Sequence, residues 1–464
     1  MKKIVFLQQL PYPYGKKQVY LGSTLPIIAT QINQASLCQI EVYIRDMNFY
    51  KKYILPEVQN ESENLAIEFM ENNGIVGITV IGSSYIPIAI KYTERLTSYD
   101  IPVMIGGQPI AKMSPELFRK LFKNPLIQQI RNNSELANVL GVENNIPDAC
   151  ETSLSNIYQE MDNMKEYLQT ESSLYISQGC LYNCKFCGAE KNQKEKFKNL
   201  DLFKEDLATL AKMAKSFGYK KIEFYASNLD FFQNPLVIVN YLKAIIEVKK
   251  EVGIEIRLRC LACMLSFIRA CNLIPNLKEL LKESGLWCIG FGVDGSDKTV
   301  WKAQNKNQNK EVDVLKCLDI CKDYGITAEI LLIMGFTQDT KKTLWKNFVN
   351  AYKYVTKYKN VMLRPYLAKE IIPGNEEWNN NLEFQEKFVK NPELFYNLDF
   401  CMIGSKLTHP NFWHRFWSNL TFLSICFIYF PFGRCLTSPL LPYGDSKIWN
   451  MFAKLWNKIV PFDR

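Results

Sequence analysis

Three closely spaced cysteines are the residues of this chain best suited to chemistry. Cys180, Cys184 and Cys187 lie in the segment SQGCLYNCKFCG, residues 177–188. Thiolates are the soft ligands that iron–sulfur clusters take, and this spacing lets three of them reach one cluster. Three ligands for four irons leave one iron open to a substrate or cofactor. Zinc usually takes four protein ligands, and no second CxxC pair follows at zinc-ribbon spacing.

The segment from residue 174 onward alternates strand-like and helical runs for about 190 residues. The helical runs include 204–216, 236–248 and 312–324, and the strand-like runs are 174–177, 221–226, 255–261, 287–293, 327–333 and 361–365. Six strand–helix repeats predict a partial TIM-type (β/α)6 barrel whose active face is at the carboxyl ends of the strands. The cysteine loop follows the first of these strands.

A second α/β pattern precedes the cysteine loop. Strand-like runs at 3–7, 39–44, 75–81 and 102–105 alternate with helical runs at 25–34 and 66–72, which predicts a doubly wound, Rossmann-like parallel sheet. Ligands bind such sheets beyond the carboxyl ends of the strands. The glycines there would allow a large ligand to approach the backbone, and the alternative is that all are ordinary turn residues. The candidates are Thr79, Ser83, Gly106, Gly107 and Gln108.

Composition narrows the class of protein. The chain has 464 residues, or roughly three units at about 150 residues per domain. Its net charge is +9, but the lysines are scattered, which argues against a nucleic-acid partner. The apolar run at the start is too short for a secretory signal. Fourteen cysteines without a signal predict reduced thiols and a cytoplasmic protein.

The expected organisation has four parts. Residues 1–140 form the Rossmann-like domain, 141–170 a linker, 171–370 the barrel and 371–464 a mainly helical, aromatic-rich region for substrate or capping. The apolar run 420–432 is about 13 residues long, short of the roughly 20 that span a bilayer. A buried helix is favoured there, and the alternative is a patch over 411–432 that contacts a membrane or admits a lipid-like substrate.

The cysteine loop resembles that of the radical S-adenosylmethionine superfamily, whose CxxxCxxC motif follows the first strand of a partial barrel and carries an aromatic residue, here Phe186, before the last cysteine. The resemblance implies a 4Fe-4S cluster whose open iron binds the amino and carboxylate groups of S-adenosylmethionine. Reduction, by a donor such as flavodoxin or ferredoxin, would yield a 5′-deoxyadenosyl radical that abstracts hydrogen from an unactivated carbon.

Further segments resemble the same superfamily. Residues 225–228 end the second strand near the methionine moiety, and 290–296 look like the fourth-strand region, with Asp294 in place of a glutamate. Residues 333–336 resemble the end of the fifth strand, which lies near adenine. The resemblance therefore assigns Phe186, Ser227 and Asp294 to S-adenosylmethionine.

The first domain is similar to the cobalamin-binding domain of one large subgroup of this superfamily. The Asp-x-His-x-x-Gly motif that supplies a histidine to cobalt is missing, and residues 10–15 read LPYPYG. The resemblance implies that cobalamin lies at the five candidates above and that a methyl group is transferred to a saturated carbon of a small-molecule or lipid-like substrate.

Alternatives to the methyltransferase stay open. One is a cobalamin-independent radical enzyme that rearranges or cyclises its substrate, and another is a non-catalytic metal-binding protein. No protein acid–base residue is identified as catalytic: His409 and His414 are expected to be structural or exposed, and the Cys260–Cys263 pair is expected to be packing.

Overall fold

The computed structural model describes residues 2–8, 19–37, 39–46, 74–142, 146–189, 192–373, 376–444 and 446–459. Backbone contacts divide the chain into two compact units. The first contains Met1–Met164, Ile371–Asp399 and Tyr443–Lys458, and the second contains Lys165–Glu370, Phe400–Pro442 and Ile459–Arg464.

The first unit is built on a five-stranded parallel sheet. Its strands are β1 (Lys2–Gln8), β2 (Ile40–Asp46), β3 (Ile75–Thr79), β4 (Val103–Gly106) and β5 (Ile127–Gln129). Their order is β2-β1-β3-β4-β5, so the direction of winding reverses between β1 and β3. The α/β class and the doubly wound sheet are confirmed, and such a reversal creates a crevice for a ligand.

The helices of this unit follow the predicted alternation. Those of the N-terminal segment are Thr24–Ala35, Ile86–Thr97, Gln108–Ala111, Pro115–Leu121, Asn133–Leu140 and Ser155–Glu160, with 3-10 turns at Ser83–Tyr85 and Ala149–Glu151. The sequence fixes their ends: the Asn132 side chain accepts from the Glu135 backbone at one end of Asn133–Leu140, and Gly141 is left-handed at the other. The helix predicted over 66–72 lies outside the described residues.

The sequence predicts one C-terminal region over 371–464, but the structure divides these residues between the two units. As far as the structure describes them, the parts that join the first unit contain four helices. They are Glu376–Asn379, Leu382–Lys390, the 3-10 helix Pro392–Leu398 and Lys447–Ile459. Trp378 packs edge-to-face against Phe384 and Phe388 and at a tilt against Phe395, and all four rings are buried in the first unit. Asn397 then exchanges hydrogen bonds of 2.9 and 2.7 Å with the Tyr443 backbone.

The predicted linker also differs from the structure. Its helix Ser155–Glu160 buries Ile157 and Tyr158 and packs against the helix Thr24–Ala35, so the segment up to residue 164 belongs to the first unit. Instead of one polar helix over 158–170, two short helices form, the second being Met164–Tyr167.

The second unit has six parallel strands in chain order. They are β6 (Glu171–Tyr175), β9 (Lys221–Ser227), β10 (Glu255–Ala262), β11 (Leu286–Gly292), β12 (Thr327–Met334) and β13 (Val361–Leu367). A short antiparallel ladder, β7 (Ser177–Gln178) with β8 (Lys196–Phe197), follows β6. The six predicted strands are confirmed, and helices connect them as in a partial (β/α)6 barrel.

The helices of the second unit bury one face, except the short helix Tyr429–Phe432, which has no buried residue. They are Leu200–Ser216, Pro235–Val252, Met264–Leu273, Leu277–Ser284, Lys298–Ala303, Glu311–Tyr324, Lys341–Lys357, Phe412–Cys426 and Tyr429–Phe432. Within the described ranges, none is both long and apolar enough to cross a bilayer.

A network of charges links four strands of this sheet. Arg259 on β10 makes two bonds of 2.7 Å to the Glu171 carboxylate on β6 and one of 3.1 Å to Glu329 on β12. Arg364 on β13 also donates to Glu329, which is buried. Burial by itself lowers the pKa of Arg259, but the hydrogen bonds and charge of Glu171 outweigh it and raise the pKa above its ordinary value.

Candidate active site

The three cysteines lie on one loop that the β7–β8 ladder closes. The Gln193 backbone N–H donates to the Cys180 carbonyl at 2.9 Å, and the Cys187 N–H donates to the Cys184 carbonyl at 3.2 Å. Gly179 begins the loop with a φ of 91°, and a Cβ there would be 2.8 Å from the Lys194 carbonyl oxygen. The loop therefore needs glycine at this position.

The three thiols lie close enough for their charges to interact. Burial raises the pKa of Cys180 to about 11, and negative charge on Asp230, Cys187 and Cys184 adds to the effect. Cys180 and Cys187 are half-buried, so the loop is open to a ligand. Among the described residues, no three metal-binding side chains already enclose a single ion. Thiolates are the soft donors that iron–sulfur clusters take, so this donor set fits a cluster.

A buried lysine supplies positive charge beside the cysteine loop. Lys306 donates to the Gly292 carbonyl at 2.7 Å and to the Asp294 carboxylate. Burial lowers the pKa of Lys306, but Asp294 and then Cys184 raise it, and the net shift is upward. The ammonium also lies 5.7 Å from the centre of the Phe186 ring. Burial raises the pKa of Cys184, and the charge of Lys306 opposes that rise.

Two of the residues assigned to S-adenosylmethionine, Phe186 and Asp294, therefore meet at Lys306. Asp294 is buried with a φ of 46°, and its carboxylate is paired with the lysine. Phe186 packs against Phe336, with ring centres 5.5 Å apart. Sequence reasoning missed Lys306, because nothing in its own segment signals a partner twelve positions away.

The third assigned residue, Ser227, ends β9 next to an unsatisfied amide. Its carbonyl accepts from the Ile176 backbone at 3.2 Å, and its side chain is half-buried. Asn228 follows it and is buried, and neither its side-chain nitrogen nor its oxygen has a hydrogen-bond partner within the described chain. An unpaired buried amide is costly, so Asn228 fits a site that takes a polar ligand.

Behind the loop, a buried carboxyl group holds a short hydrogen-bonded chain. Ser266 donates to Asp230 at 2.5 Å, and the Tyr182 hydroxyl of the loop lies 3.2 Å from the Ser266 hydroxyl. The Cys263 backbone N–H donates to the same carboxyl group at 3.0 Å. Burial raises the pKa of Asp230 to about 6. The chain connects the cysteine loop to the loop after β10.

Both histidines hold the turn that follows β12. His409 Nε2 lies 3.1 Å from the Gly335 carbonyl and His414 Nε2 lies 2.8 Å from the Phe336 carbonyl, so both nitrogens must donate. Asp339 accepts from the Gly335 and Phe336 backbone N–H groups at 2.9 and 3.1 Å. The histidines are therefore structural within the second unit, and the turn they hold carries the segment that resembles the fifth strand.

The environment of His409 predicts a pH-dependent stability. Burial lowers the pKa of His409 to about 3, and positive charge on Lys369, His414 and Arg415 contributes. The ordinary pKa is about 6.5, so the unfolded chain binds a proton that the folded one rejects. Stability present above pH 6.5 is then lost as pH falls, by about 2 kcal/mol at pH 5. In urea unfolding, the parent protein should show this loss of stability and H409Q should not. Equal pH dependence of the two proteins would contradict the prediction.

In the first unit, the residues assigned to cobalamin lie at the carboxyl ends of β3 and β4. Thr79 is the register partner of Gly106, and the Val80 N–H donates to the Gly106 carbonyl at 2.9 Å. Ser83 begins the 3-10 turn after β3, and Gly107 and Gln108 begin the helix after β4. The structure thus brings the five candidates to one edge. It also places Ile81 there, a 65% exposed apolar side chain that sequence reasoning missed.

The backbone at position 107 requires glycine for a structural reason. Its φ is 98°, and a Cβ would lie 2.2 Å from the Val80 carbonyl oxygen, so the close approach it permits is between two backbone segments. We expect Gly107→Ala to lower the free energy of unfolding by at least about 2 kcal/mol more than Gly141→Ala. Gly141 is the matched control, since its φ is 69° and nothing lies within 4 Å. Equal losses in urea unfolding would show that the contact is easily relieved.

Comparison with known proteins finds a family model and a curated relative that match part of this chain. Residues 174–348 match the model of the radical SAM superfamily. A hopanoid C-2 methylase of Rhodopseudomonas palustris (strain TIE-1) is 26% identical over 175 residues, which cover 37% of this chain and 31% of that protein. The matched stretch is therefore less than a third of the relative's length.

Solved structures show the same arrangement over more of the chain. A radical S-adenosylmethionine methyltransferase, TsrM from Kitasatospora setae, solved with tryptophan and an S-adenosylmethionine analogue, superimposes with a TM-score of 0.56 at 13% identity, over 81% of this chain and 75% of that one. The cobalamin-dependent radical enzyme OxsB, with aqua-cobalamin and S-adenosylmethionine, gives 0.56 at 14% identity, over 86% and 56%. At these identities the likeness establishes the fold.

Proposed function

We propose that this chain, whose residues 174–348 match the radical SAM superfamily model, cleaves S-adenosylmethionine reductively and, with cobalamin, methylates an unactivated carbon. The observation that carries the proposal is the cysteine loop, which follows the first of six parallel strands and lies beside buried, ligand-facing polar groups. Cys180, Cys184 and Cys187 are the proposed ligands of a 4Fe-4S cluster. The cluster supplies the electron that breaks a carbon–sulfur bond of S-adenosylmethionine, and cobalamin supplies a carrier for the methyl group.

The side chains around the loop bind and orient in this proposal. Lys306 stabilises the thiolate form of Cys184 and keeps Asp294 in place. The unpaired amide of Asn228, with Ser227 before it, offers donors and an acceptor to the polar end of S-adenosylmethionine. Phe186 and Phe336 cover an apolar side of the site and exclude water from it. No side chain is assigned a proton transfer.

Cobalamin is proposed to bind at the carboxyl edge of the first unit's sheet. Thr79, Ser83 and Gln108 offer polar groups, and Ile81 offers an exposed apolar surface. The reversal of winding between β1 and β3 places a crevice at this edge. The fold shared with OxsB supports this assignment.

The substrate is proposed to be a small, hydrophobic or lipid-like molecule. The similarity to a hopanoid methylase supports this class. So does the predicted patch over 411–432, whose exposed apolar side chains are Phe412, Trp413, Phe416, Phe427 and Phe430. Peripheral membrane contact through this patch, a cytoplasmic location and a flavodoxin- or ferredoxin-type donor remain parts of the proposal.

The proposal is tested with anaerobically reconstituted protein, dithionite, S-adenosylmethionine and cobalamin. We expect 5′-deoxyadenosine to form and a corrinoid absorption band to remain after gel filtration. S-adenosylmethionine cleavage without retained corrinoid would favour the cobalamin-independent enzyme. Absence of both S-adenosylmethionine cleavage and cluster absorption would favour a non-catalytic metal-binding protein.

A further inference from the structure

The helix Lys447–Ile459 packs on the protein through its polar side. Only Ala453 and Asn457 of this helix are buried. Within it, the Asn450 amide donates to the carbonyl of Gly444, which precedes the helix, at 2.7 Å and accepts from the Gly444 N–H at 2.9 Å. Small and amide side chains thus form the inner face, the reverse of an ordinary surface helix.

The apolar side of the same helix points outward. Ile448 is 79% exposed, Met451 69%, Leu455 58% and Phe452 49%. At about 100° per residue these four positions fall within one arc of about 100°, and Trp449 and Trp456 lie at one border of it. Such a continuous apolar face on a surface helix indicates an interaction site.

The charges of the helix indicate what it contacts. Lys447, Lys454 and Lys458 lie along the other border of the apolar arc, and residues 447–459 contain no aspartate or glutamate. Lysines beside an apolar face, with tryptophan at its edge, suit a lipid–water interface with anionic headgroups. At about 1.5 Å per residue the helix is roughly 20 Å long, too short to cross the hydrocarbon core and suited to lying on it.

We propose that the helix Lys447–Ile459 binds the surface of an anionic phospholipid bilayer, with its apolar face among the acyl chains and its lysines at the headgroups. The contact would keep the protein at the surface where lipid-like molecules are held. It does not depend on the proposed reaction, because vesicle binding needs no turnover.

The test is flotation of the reconstituted full-length protein with vesicles of phosphatidylcholine, with and without 30% phosphatidylglycerol. We expect binding to the anionic vesicles that falls at least tenfold in F452E/L455E and weakens with salt. The matched control is L236E/V312E, which places the same two charges at apolar residues 64% and 65% exposed on other helices and should leave binding unchanged. Circular dichroism verifies that each variant is folded.

Two outcomes would overturn the proposal. One is that the protein fails to float with anionic vesicles, or that F452E/L455E floats as well as the parent. The other is a dimer in light scattering that F452E/L455E converts to monomer without changing flotation, which would assign the face to a second copy. Since 5′-deoxyadenosine formation is measured separately, failure here leaves the proposed reaction untouched.

Discussion

Replacement of Cys184 by serine is expected to abolish both iron binding and cleavage of S-adenosylmethionine. A hydroxyl is a poor substitute for a soft thiolate, and even groups that only support a metal ligand contribute about 10- to 100-fold to activity. We therefore expect C184S to form 5′-deoxyadenosine at least about 100-fold more slowly and to retain less iron and sulfide after reconstitution. The sulfur-to-iron charge-transfer absorption of each variant reports how much cluster it holds.

The control for this prediction is C271S. Cys271 is half-buried in the helix Met264–Leu273, outside the proposed ligand set, so iron content and activity should match the parent. If C184S keeps the full iron content, or if C271S loses as much, the assignment of the cluster to the three-cysteine loop is wrong. Thermal unfolding of the metal-free proteins separates loss of ligand from loss of fold.

The second large effect concerns the charge network inside the barrel. In R259M, the carboxylates of Glu171 and Glu329 lose the guanidinium that bridges them, and Glu329 keeps only Arg364. Leaving a buried charge without its partner costs about 3 kcal/mol or more, and we expect a loss of this size in urea unfolding. R259K should recover part of it, because lysine restores the charge but cannot make the two parallel bonds.

An exposed ion pair provides the contrast. Lys346 lies 2.8 Å from Glu311, and both side chains are largely solvated, so K346M should change the free energy of unfolding by less than about 1 kcal/mol. Similar losses in R259M and K346M would mean that the barrel network is hydrated and contributes little. A loss confined to R259M would show that it joins the strands.

Local patterns in the sequence predict the strands well. Each strand of the barrel is an apolar or alternating run bounded by helical periodicity, so its position needs no knowledge of neighbours. The cysteine spacing is equally local, because all three ligands lie on one loop. Gly107 is predicted to allow the approach of a ligand, whereas in the structure it serves a contact between two backbone segments.

The parts that sequence reasoning missed depend on tertiary contacts. Lys306 and Asp294 pair across two loops, and His409 reaches a turn 74 positions earlier in the chain. The outward apolar face of Lys447–Ile459 was overlooked because periodicity shows that a helix has two faces but not which one is buried. The same limit explains why a buried helix is predicted over 420–432, where Phe427 and Phe430 are exposed.

The interleaving of the C-terminal segments bears on how the protein is made. The first unit contains residues from both ends of the chain, with Tyr443–Lys458 among its last parts, whereas the six strands of the barrel are complete at residue 367. During synthesis at about 5–20 residues per second, the barrel can form while the unit begun first still waits for its closing segments. The cysteine loop is therefore translated, and can receive iron, after the sheet proposed to hold cobalamin but before the C-terminal segments that complete the same unit.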